Sequence, residues 1–113
     1  MSKEIIANGF DTAKKNGSAI AAIALKDSLR KVVGSKTVSK NRNEYYLVQT
    51  PQTFKSSLLK QAYNDAESIN NFTDDASVFE ASQGEVALIN GDYKNLKITT
   101  PEDLIIAQAL LTN

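Results

Sequence analysis

The feature that most constrains the fold is the continuous apolar run from Ala19 to Leu25 (AIAAIAL). A short apolar run of this kind is typical of a β-strand that is covered on both faces. Before it, residues 3–15 carry apolar side chains at helical spacing, Ser2 is placed to cap them, and Asn16-Gly17 ends the pattern. A helix followed directly by a buried strand predicts an alternating α/β chain.

The stretch that follows, residues 26–43, has a different pattern. Its few apolar residues are interleaved with Lys and Arg, and Gly34-Ser35 lies at its centre as a turn. This pattern predicts a polar β-hairpin arm that is too thin to bury a core of its own. Such an arm usually lies on another surface, and a second copy of the chain is the surface we expect.

The rest of the chain predicts two more strands and three more helices. Residues 45–49 and 85–90 have the composition of strands. Each of the helices is preceded by a threonine, namely Thr50 (followed by Pro51), Thr73 and Thr100. Threonine is a common helix cap, and Thr100-Pro101-Glu102-Asp103 also has the spacing of a capping box. The predicted order is α-β-arm-β-α-α-β-α.

In an open α/β sheet the ligand crevice lies beyond the carboxyl ends of the strands. The loops at 26–28, 49–51 and 90–99 follow predicted strands and are expected to meet at such a crevice. The strand at 19–25 is also expected to expose a free edge, since few strands are available to flank it. Self-association would then cover that edge.

Composition excludes several kinds of chemistry. The sequence has no Cys and no His, which removes thiol nucleophiles, disulfides, the Ser-His-Asp arrangement and nearly all zinc sites. Thirteen basic and thirteen acidic residues cancel, so no net field favours nucleic acid or an anionic membrane as a partner. No segment has the length and hydropathy of a membrane span or a signal peptide. We therefore expect a soluble, cytoplasmic protein.

Two basic residues are candidates for binding phosphate. Lys97 lies between a turn and a capped helix, and Arg42 follows the arm, from which it could reach a neighbouring subunit's ligand. From spacing alone, a solvated surface side chain is the favoured interpretation of each. Thr50 and Thr73 are explained as helix caps, although a helix start can also bind an anion.

The sequence contains neither of the glycine-rich patterns that bind nucleotide phosphates, G-x-x-x-x-G-K-[ST] and G-x-G-x-x-G.

Three motifs in order, VQTPQTF, FTDDASVFE and NLKITTPEDL, resemble the 2-C-methyl-D-erythritol 4-phosphate cytidylyltransferases, and the similarity covers essentially all 113 residues. The resemblance implies transfer of CMP from CTP to methylerythritol phosphate, with magnesium and release of pyrophosphate. It also implies a Rossmann-like α/β fold of the nucleotide-diphospho-sugar transferase type. A projecting arm, here residues 26–43, would clasp a second subunit in a homodimer.

The resemblance also implies roles for particular residues. The lysine of the family's N-[IL]-K-[IV]-T motif falls on Lys97 and positions or neutralises the reacting phosphates. The arginine after the arm falls on Arg42 and binds the acceptor phosphate of the partner subunit. Polar contacts to that substrate fall on Ser28, where threonine is usual, and on Thr50 and Thr73.

The sequence departs from the family pattern at its start. The family's A-A-G-x-G-x-R-[MF] loop and P-K-Q lysine, which hold CTP, are not in this sequence, and neither is its acidic D-A-A-R-P segment. Residues 1–113 are therefore expected to form a single incomplete domain, the carboxyl-terminal acceptor-binding half, which is inactive alone. The alternatives are a fragment of a ribitol-5-phosphate cytidylyltransferase, or a non-catalytic dimerisation module with a vestigial anion site.

Overall fold

The computed structural model describes residues 2–66, 74–95 and 97–111. The predicted order of elements is confirmed. The elements are α1 (Lys3–Asn16), β1 (Ser18–Ala24), β2 (Leu29–Val33), β3 (Lys36–Lys40), a short 3-10 helix (Arg42–Glu44), β4 (Tyr46–Phe54), α2 (Ser56–Asp65), α3 (Asp75–Gln83), β5 (Leu88–Asn90) and α4 (Pro101–Leu111). Within these ranges, no helix is long and apolar enough to cross a membrane.

The ends of α1 follow from its sequence as predicted. The Ser2 hydroxyl accepts a hydrogen bond from the Ile5 backbone N–H at 3.2 Å and so satisfies one of the free donors at the helix start. At the other end Gly17 takes a left-handed conformation with φ 89°, and its N–H donates to the Ala13 carbonyl at 2.8 Å. Only glycine adopts this conformation at little cost, so the chain turns here directly into β1.

The three-stranded sheet has the order β4-β1-β5, with β1 in the centre. Strand β1 pairs antiparallel with β4 and parallel with β5. The expectation that the strand at 19–25 exposes a free edge is therefore wrong. Later segments of the same chain return to flank it on both sides, and the outer positions belong to β4 and β5.

The core lies on both faces of β1. Successive side chains of a strand point to opposite faces, so Ala19 and Ala21 face one side while Ile20 faces the other. The first side packs against α1 in a buried cluster of Ile5, Ala13, Ala19, Ala21 and Ile89. On the second side Phe54 of β4 contacts Phe79 of α3, with ring centroids 5.1 Å apart. Full burial of Ile20 and Phe79 stabilises this layer by about 1.5–3 kcal/mol for each side chain.

The segment around Thr50-Pro51 differs from the prediction. It does not open a helix: β4 continues to Phe54, and α2 begins only at Ser56. The pairing of β1 with β4 is irregular here. Between the pairs Ile20↔Gln52 and Ala22↔Val48, β4 has more residues than β1 and therefore forms a bulge. Proline has no N–H to give to a ladder, and such a bulge is where a strand tolerates it. Thr50 is therefore a strand residue at a bulge rather than a helix cap.

The start of α3 is capped by a carboxylate. Asp74 Oδ1 accepts a hydrogen bond from the Ser77 backbone N–H at 2.9 Å. The predicted cap at Thr73 lies outside the described residues. Asp75 lies in the first turn, where a negative charge interacts favourably with the helix dipole.

The predicted hairpin is present as β2 and β3, which pair antiparallel from Leu29↔Lys40 to Val33↔Lys36. Gly34, with φ 63°, provides the tight turn. The side chains of Val32, Val33 and Val38 are exposed. The hairpin therefore buries little apolar surface of its own, which agrees with an arm that needs another surface to lie on.

Candidate functional site

The loop after β5 is held against the bulge of β4 by one side chain. The Gln49 carboxamide oxygen accepts a hydrogen bond from the Asp92 N–H at 3.1 Å. Its amide nitrogen donates to the carbonyls of Asp92, at 2.9 Å, and of Asn95, at 3.2 Å. A single half-buried side chain thus uses its donor and acceptor groups together on residues 92–95.

Further contacts fix the same loop to both neighbouring strands. The Asn95 side-chain amide donates to the Thr50 carbonyl of β4. The Gly91 N–H donates to the Ala22 carbonyl of β1 at 2.9 Å. Within the loop, the Asn95 N–H donates to the Asp92 carbonyl at 2.9 Å. The loop therefore has a defined conformation where it leaves the sheet.

The residues after Lys97 lead into α4. The predicted capping box is confirmed at the start of that helix, with Asp103 as its acid. The Asp103 carboxylate accepts hydrogen bonds from the backbone N–H groups of Thr99 and Thr100, both at 3.1 Å, and from the Thr99 hydroxyl at 2.9 Å. In return the Thr100 hydroxyl accepts from the Asp103 N–H at 3.2 Å. The start of α4 is thus fixed, and Lys97 lies between two anchored points.

The cap makes the start of α4 sensitive to acid. Hydrogen bonds from Thr99, and then from Thr100, hold the pKa of Asp103 below its ordinary value of 3.8. A carboxyl group whose pKa is lowered by folding stabilises the folded form above pH 3.8, and this is lost as the pH falls through the lowered pKa. We expect the amide resonances of Thr99 and Thr100 to titrate together below pH 3.8. Asp103→Asn should abolish that titration, whereas a titration that persists in Asp103→Asn would contradict the assignment.

Lys97 and Thr50 meet at one cavity. It has a volume of about 590 Å³ and lies where the loop after β5 crosses the β4 bulge. Its lining residues are Ile23, Leu47, Val48, Gln49, Thr50, Gln52, Tyr93, Asn95 and Lys97. None of these is Asp or Glu, so Lys97 brings the cavity's only formal charge among its described lining residues. A cationic, open cavity of this kind can bind an anion.

The base of the arm is a separate cluster of polar groups. The Arg42 guanidinium donates to the Lys26 carbonyl. Ser28 is exposed just before β2. Neither Arg42 nor Ser28 is among the described residues that line the cavity. The structure of a single chain therefore brings Lys97 and Thr50 together at the cavity, while Arg42 and Ser28 do not line it.

Tyr93 connects the arm base to the loop after β5. The Lys26 ammonium lies 3.8 Å from the centroid of the Tyr93 ring, in cation–π geometry. The Tyr93 hydroxyl donates to the Ala24 carbonyl at 2.8 Å. Together with the Gln49 contacts, this brings residues 26–28, 49–51 and 90–99 close together as expected, although 49–51 belong to β4 and are not a loop.

Magnesium does not fit the described residues by themselves. No group of three or more His, Cys, Asp or Glu side chains within 2–66, 74–95 and 97–111 is arranged to hold a metal ion. Hard cations such as Mg²⁺ bind to carboxylates together with substrate phosphates. Carboxylate ligands for an ion at this cavity would have to come from residues other than its described lining, which contains no Asp or Glu. Thr73, the remaining candidate for substrate binding, lies outside the described residues.

Sequence reasoning did not single out three residues of this site: Gln49, Tyr93 and Asn95. Gln49 and Asn95 do stand inside the motifs VQTPQTF and NLKITTPEDL, next to Thr50 and near Lys97. The sequence signal that could have indicated Gln49 and Asn95 is their position in those motifs. The contacts of Tyr93 depend on tertiary structure, and no local pattern indicates them.

Comparison with known proteins identifies relatives along the whole chain. A family model described as IspD: 2-C-methyl-D-erythritol 4-phosphate cytidylyltransferase matches residues 1–113. The cytidylyltransferase of that name from Bacteroides fragilis is 48% identical over 113 residues, which are 98% of this chain and 50% of that protein. The one from Alkaliphilus metalliredigens is 40% identical over 114 residues, with coverage of 98% and 47%.

Two crystal structures have the same fold. The structure of 2-C-methyl-D-erythritol 4-phosphate cytidylyltransferase from Thermus thermophilus superposes with a TM-score of 0.84 at 32% identity, over 99% of this chain and 56% of that one. The 4-diphosphocytidyl-2C-methyl-D-erythritol synthase from Anaerococcus prevotii superposes with a TM-score of 0.85 at 32% identity, over 99% and 53%. The mixed sheet and its helices are thus part of a Rossmann-like α/β fold, as predicted.

The chain spans about half the length of the curated relatives it matches. The match is nevertheless continuous from residue 1 to residue 113 and includes the bulge, the arm and the Lys97 loop. The chain therefore belongs to the 2-C-methyl-D-erythritol 4-phosphate cytidylyltransferase family.

Proposed function

We propose that this chain provides the acceptor-phosphate side of a cytidylyltransferase that transfers CMP from CTP to 2-C-methyl-D-erythritol 4-phosphate. The observation that carries the proposal is the meeting of Lys97 and Thr50 at one cavity, on a loop anchored at both ends. Transfer of a nucleotidyl group depends chiefly on holding phosphates in place and offsetting their charge. A lysine in this setting performs both tasks on the acceptor side.

The local charge supports this role for Lys97. The chain as a whole has zero net charge, so attraction of a phosphate has to come from individual groups. At the cavity the ammonium of Lys97 is not opposed by any carboxylate among the described lining residues. Thr50 adds a hydroxyl at the bulge, and we assign Thr73 to the same substrate by family resemblance.

We further propose that Arg42 and Ser28 act on the substrate of a second subunit in a homodimer. Both lie at the base of the arm, neither lines the cavity of its own chain, and the arm leaves its valines exposed. A guanidinium at that position could grip a phosphate bidentately across a subunit boundary. The magnesium requirement and the cytoplasmic location remain predictions, as does the inactivity of the 113-residue chain alone.

The proposal can be tested with a chimera in which this chain replaces the matched segment of the Bacteroides fragilis relative. We expect the chimera to form cytidine diphosphate methylerythritol from CTP and methylerythritol phosphate, measured by release of pyrophosphate. Ribitol 5-phosphate should compete poorly as acceptor. A preference for ribitol 5-phosphate would favour the ribitol enzyme, and a folded dimeric chimera with neither activity would favour a non-catalytic module.

A further inference from the structure

We infer that Gln49 is a positioning residue, whose carboxamide fixes residues 92–95 against β4 and thereby holds Lys97 at the cavity. The inference rests on the proposed function, because it assigns Gln49 a purpose through Lys97. Gln49 also lines the cavity. Its side chain uses its three hydrogen bonds on the loop backbone.

Lys97 is close in sequence to the residue that Gln49 binds, so the Gln49 contacts restrict the position of the Lys97 backbone. Lys97 lies two residues after Asn95, which Gln49 binds, and two residues before Thr99, which Asp103 binds. Two residues of extended chain span at most about 7 Å, so the Lys97 backbone cannot move far from either anchor. Loss of the Gln49 contacts would leave the hydrogen bond from the Asn95 side chain to the Thr50 carbonyl to hold this end of the loop on β4.

A side chain at position 91 would compete with the Gln49 carboxamide for the same space. A Cβ atom built at Gly91 would overlap Gln49 Oε1 and would lie 3.3 Å from the Ala22 carbonyl oxygen. Gly91 does not have a left-handed backbone, so alanine there is not excluded by its φ angle. The carboxamide of Gln49 occupies the space beside the glycine, so a methyl group there requires the carboxamide to shift. Gly91→Ala therefore displaces Gln49 without changing residue 49.

The effect of Gln49 on the loop can be measured by hydrogen exchange at two backbone amides. The Asp92 N–H donates to Gln49, and the Asn95 N–H donates within the loop that Gln49 closes. The Gly91 N–H donates instead to β1 and serves as an internal reference. In Gln49→Ala we expect exchange at Asp92 and Asn95 to accelerate about tenfold or more, with little change at Gly91.

The matched control is Gln61→Ala, which removes the same side chain from an exposed position on α2. It should leave exchange at Asp92 and Asn95 unchanged. Gly91→Ala should reproduce the effect of Gln49→Ala on Asp92 and Asn95. Unchanged loop exchange in both Gln49→Ala and Gly91→Ala, in proteins that keep the wild-type spectrum elsewhere, would overturn the inference.

Two further measurements distinguish positioning of Lys97 from general support of the fold. Without ligand, the Lys97 amide resonance should shift in Gln49→Ala and not in Gln61→Ala; no shift would overturn the inference. With methylerythritol phosphate as the probe, Gln49→Ala and Lys97→Ala should each weaken binding by about tenfold, and the double variant should be no weaker than either. Losses that multiply in the double variant would show that Gln49 does not act through Lys97.

The outcomes for the two proposals remain distinct. If the wild-type chain does not respond to millimolar methylerythritol phosphate, the proposed function is weakened. The loop exchange and the Lys97 resonance still decide whether Gln49 positions that residue. If the wild-type chain binds the probe but loop exchange is unaffected in Gln49→Ala, the inference fails while the proposed function stands.

Discussion

Lys97→Ala should lower kcat for CMP transfer by about 100-fold or more in the Bacteroides fragilis chimera, because removing one preorganised group that stabilises transition-state charge has that order of effect. The fold should persist, since Lys97 is exposed and lies outside the helices and strands. The measurement is steady-state pyrophosphate release at saturating CTP and methylerythritol phosphate.

Lys94 offers a matched control for this experiment. It stands on the same loop and is also exposed, but it does not line the cavity. Lys94→Ala should retain near-normal turnover. Lys97→Arg should recover part of the loss, since it restores the charge but not the compact ammonium. If Lys97→Ala retains more than half of the wild-type kcat, Lys97 is a surface lysine and its assignment is wrong.

Mixing two inactive chimeras should restore activity if the arm works across a dimer. Arg42→Ala and Lys97→Ala should each be nearly inactive as homodimers. In a mixed dimer, one site receives Arg42 from the Lys97→Ala subunit and Lys97 from the Arg42→Ala subunit. Random pairing gives half of the dimers as mixed, each with one complete site, so about one quarter of wild-type activity should return.

The control is the double variant, with Arg42→Ala and Lys97→Ala on one chain, mixed with wild-type chimera. A mixed dimer of this kind contains no complete site, because each site lacks one of the two groups. Added double variant should therefore inhibit by drawing wild-type subunits into inactive dimers. If the two single variants do not restore activity together although subunits exchange, Arg42 serves the site of its own chain.

Much of the fold could be predicted because it is encoded locally. The apolar run of β1, the caps at Ser2 and Asp103 and the glycine turn of the arm are each determined by neighbouring residues. The Thr50-Pro51 segment was mispredicted for a physical reason. Threonine before proline has the pattern of a helix start, but the backbone here follows the pairing of β4 with β1, which depends on distant residues. The flanking of β1 by β4 and β5 is non-local in the same way.

The candidate site, like the fold, has some features that the sequence predicts and others that depend on distant contacts. Lys97 and Thr50 could be singled out from motifs. Their meeting at one cavity could not be derived from the general position of ligands in α/β sheets, because Thr50 lies within β4, antiparallel to β1, and not beyond the carboxyl end of a strand. The contacts that hold them there join residues 43 to 46 positions apart in sequence. No periodicity or spacing indicates such pairs, so the role of Gln49 became visible only in the structure.

The arm carries its charge unevenly. Residues 29–40 hold four cations, Arg30, Lys31, Lys36 and Lys40, and no acid, although the whole chain is neutral. Two such arms laid on each other would bring like charges together, so a clasping arm has to rest on a neutral or acidic part of its partner. Attraction between the basic arm and an acidic surface is screened beyond roughly 10 Å at about 0.1 M ionic strength. Assembly through the arm would therefore weaken as the salt concentration rises. Ionic strength would then affect catalysis by changing how tightly the two subunits bind each other.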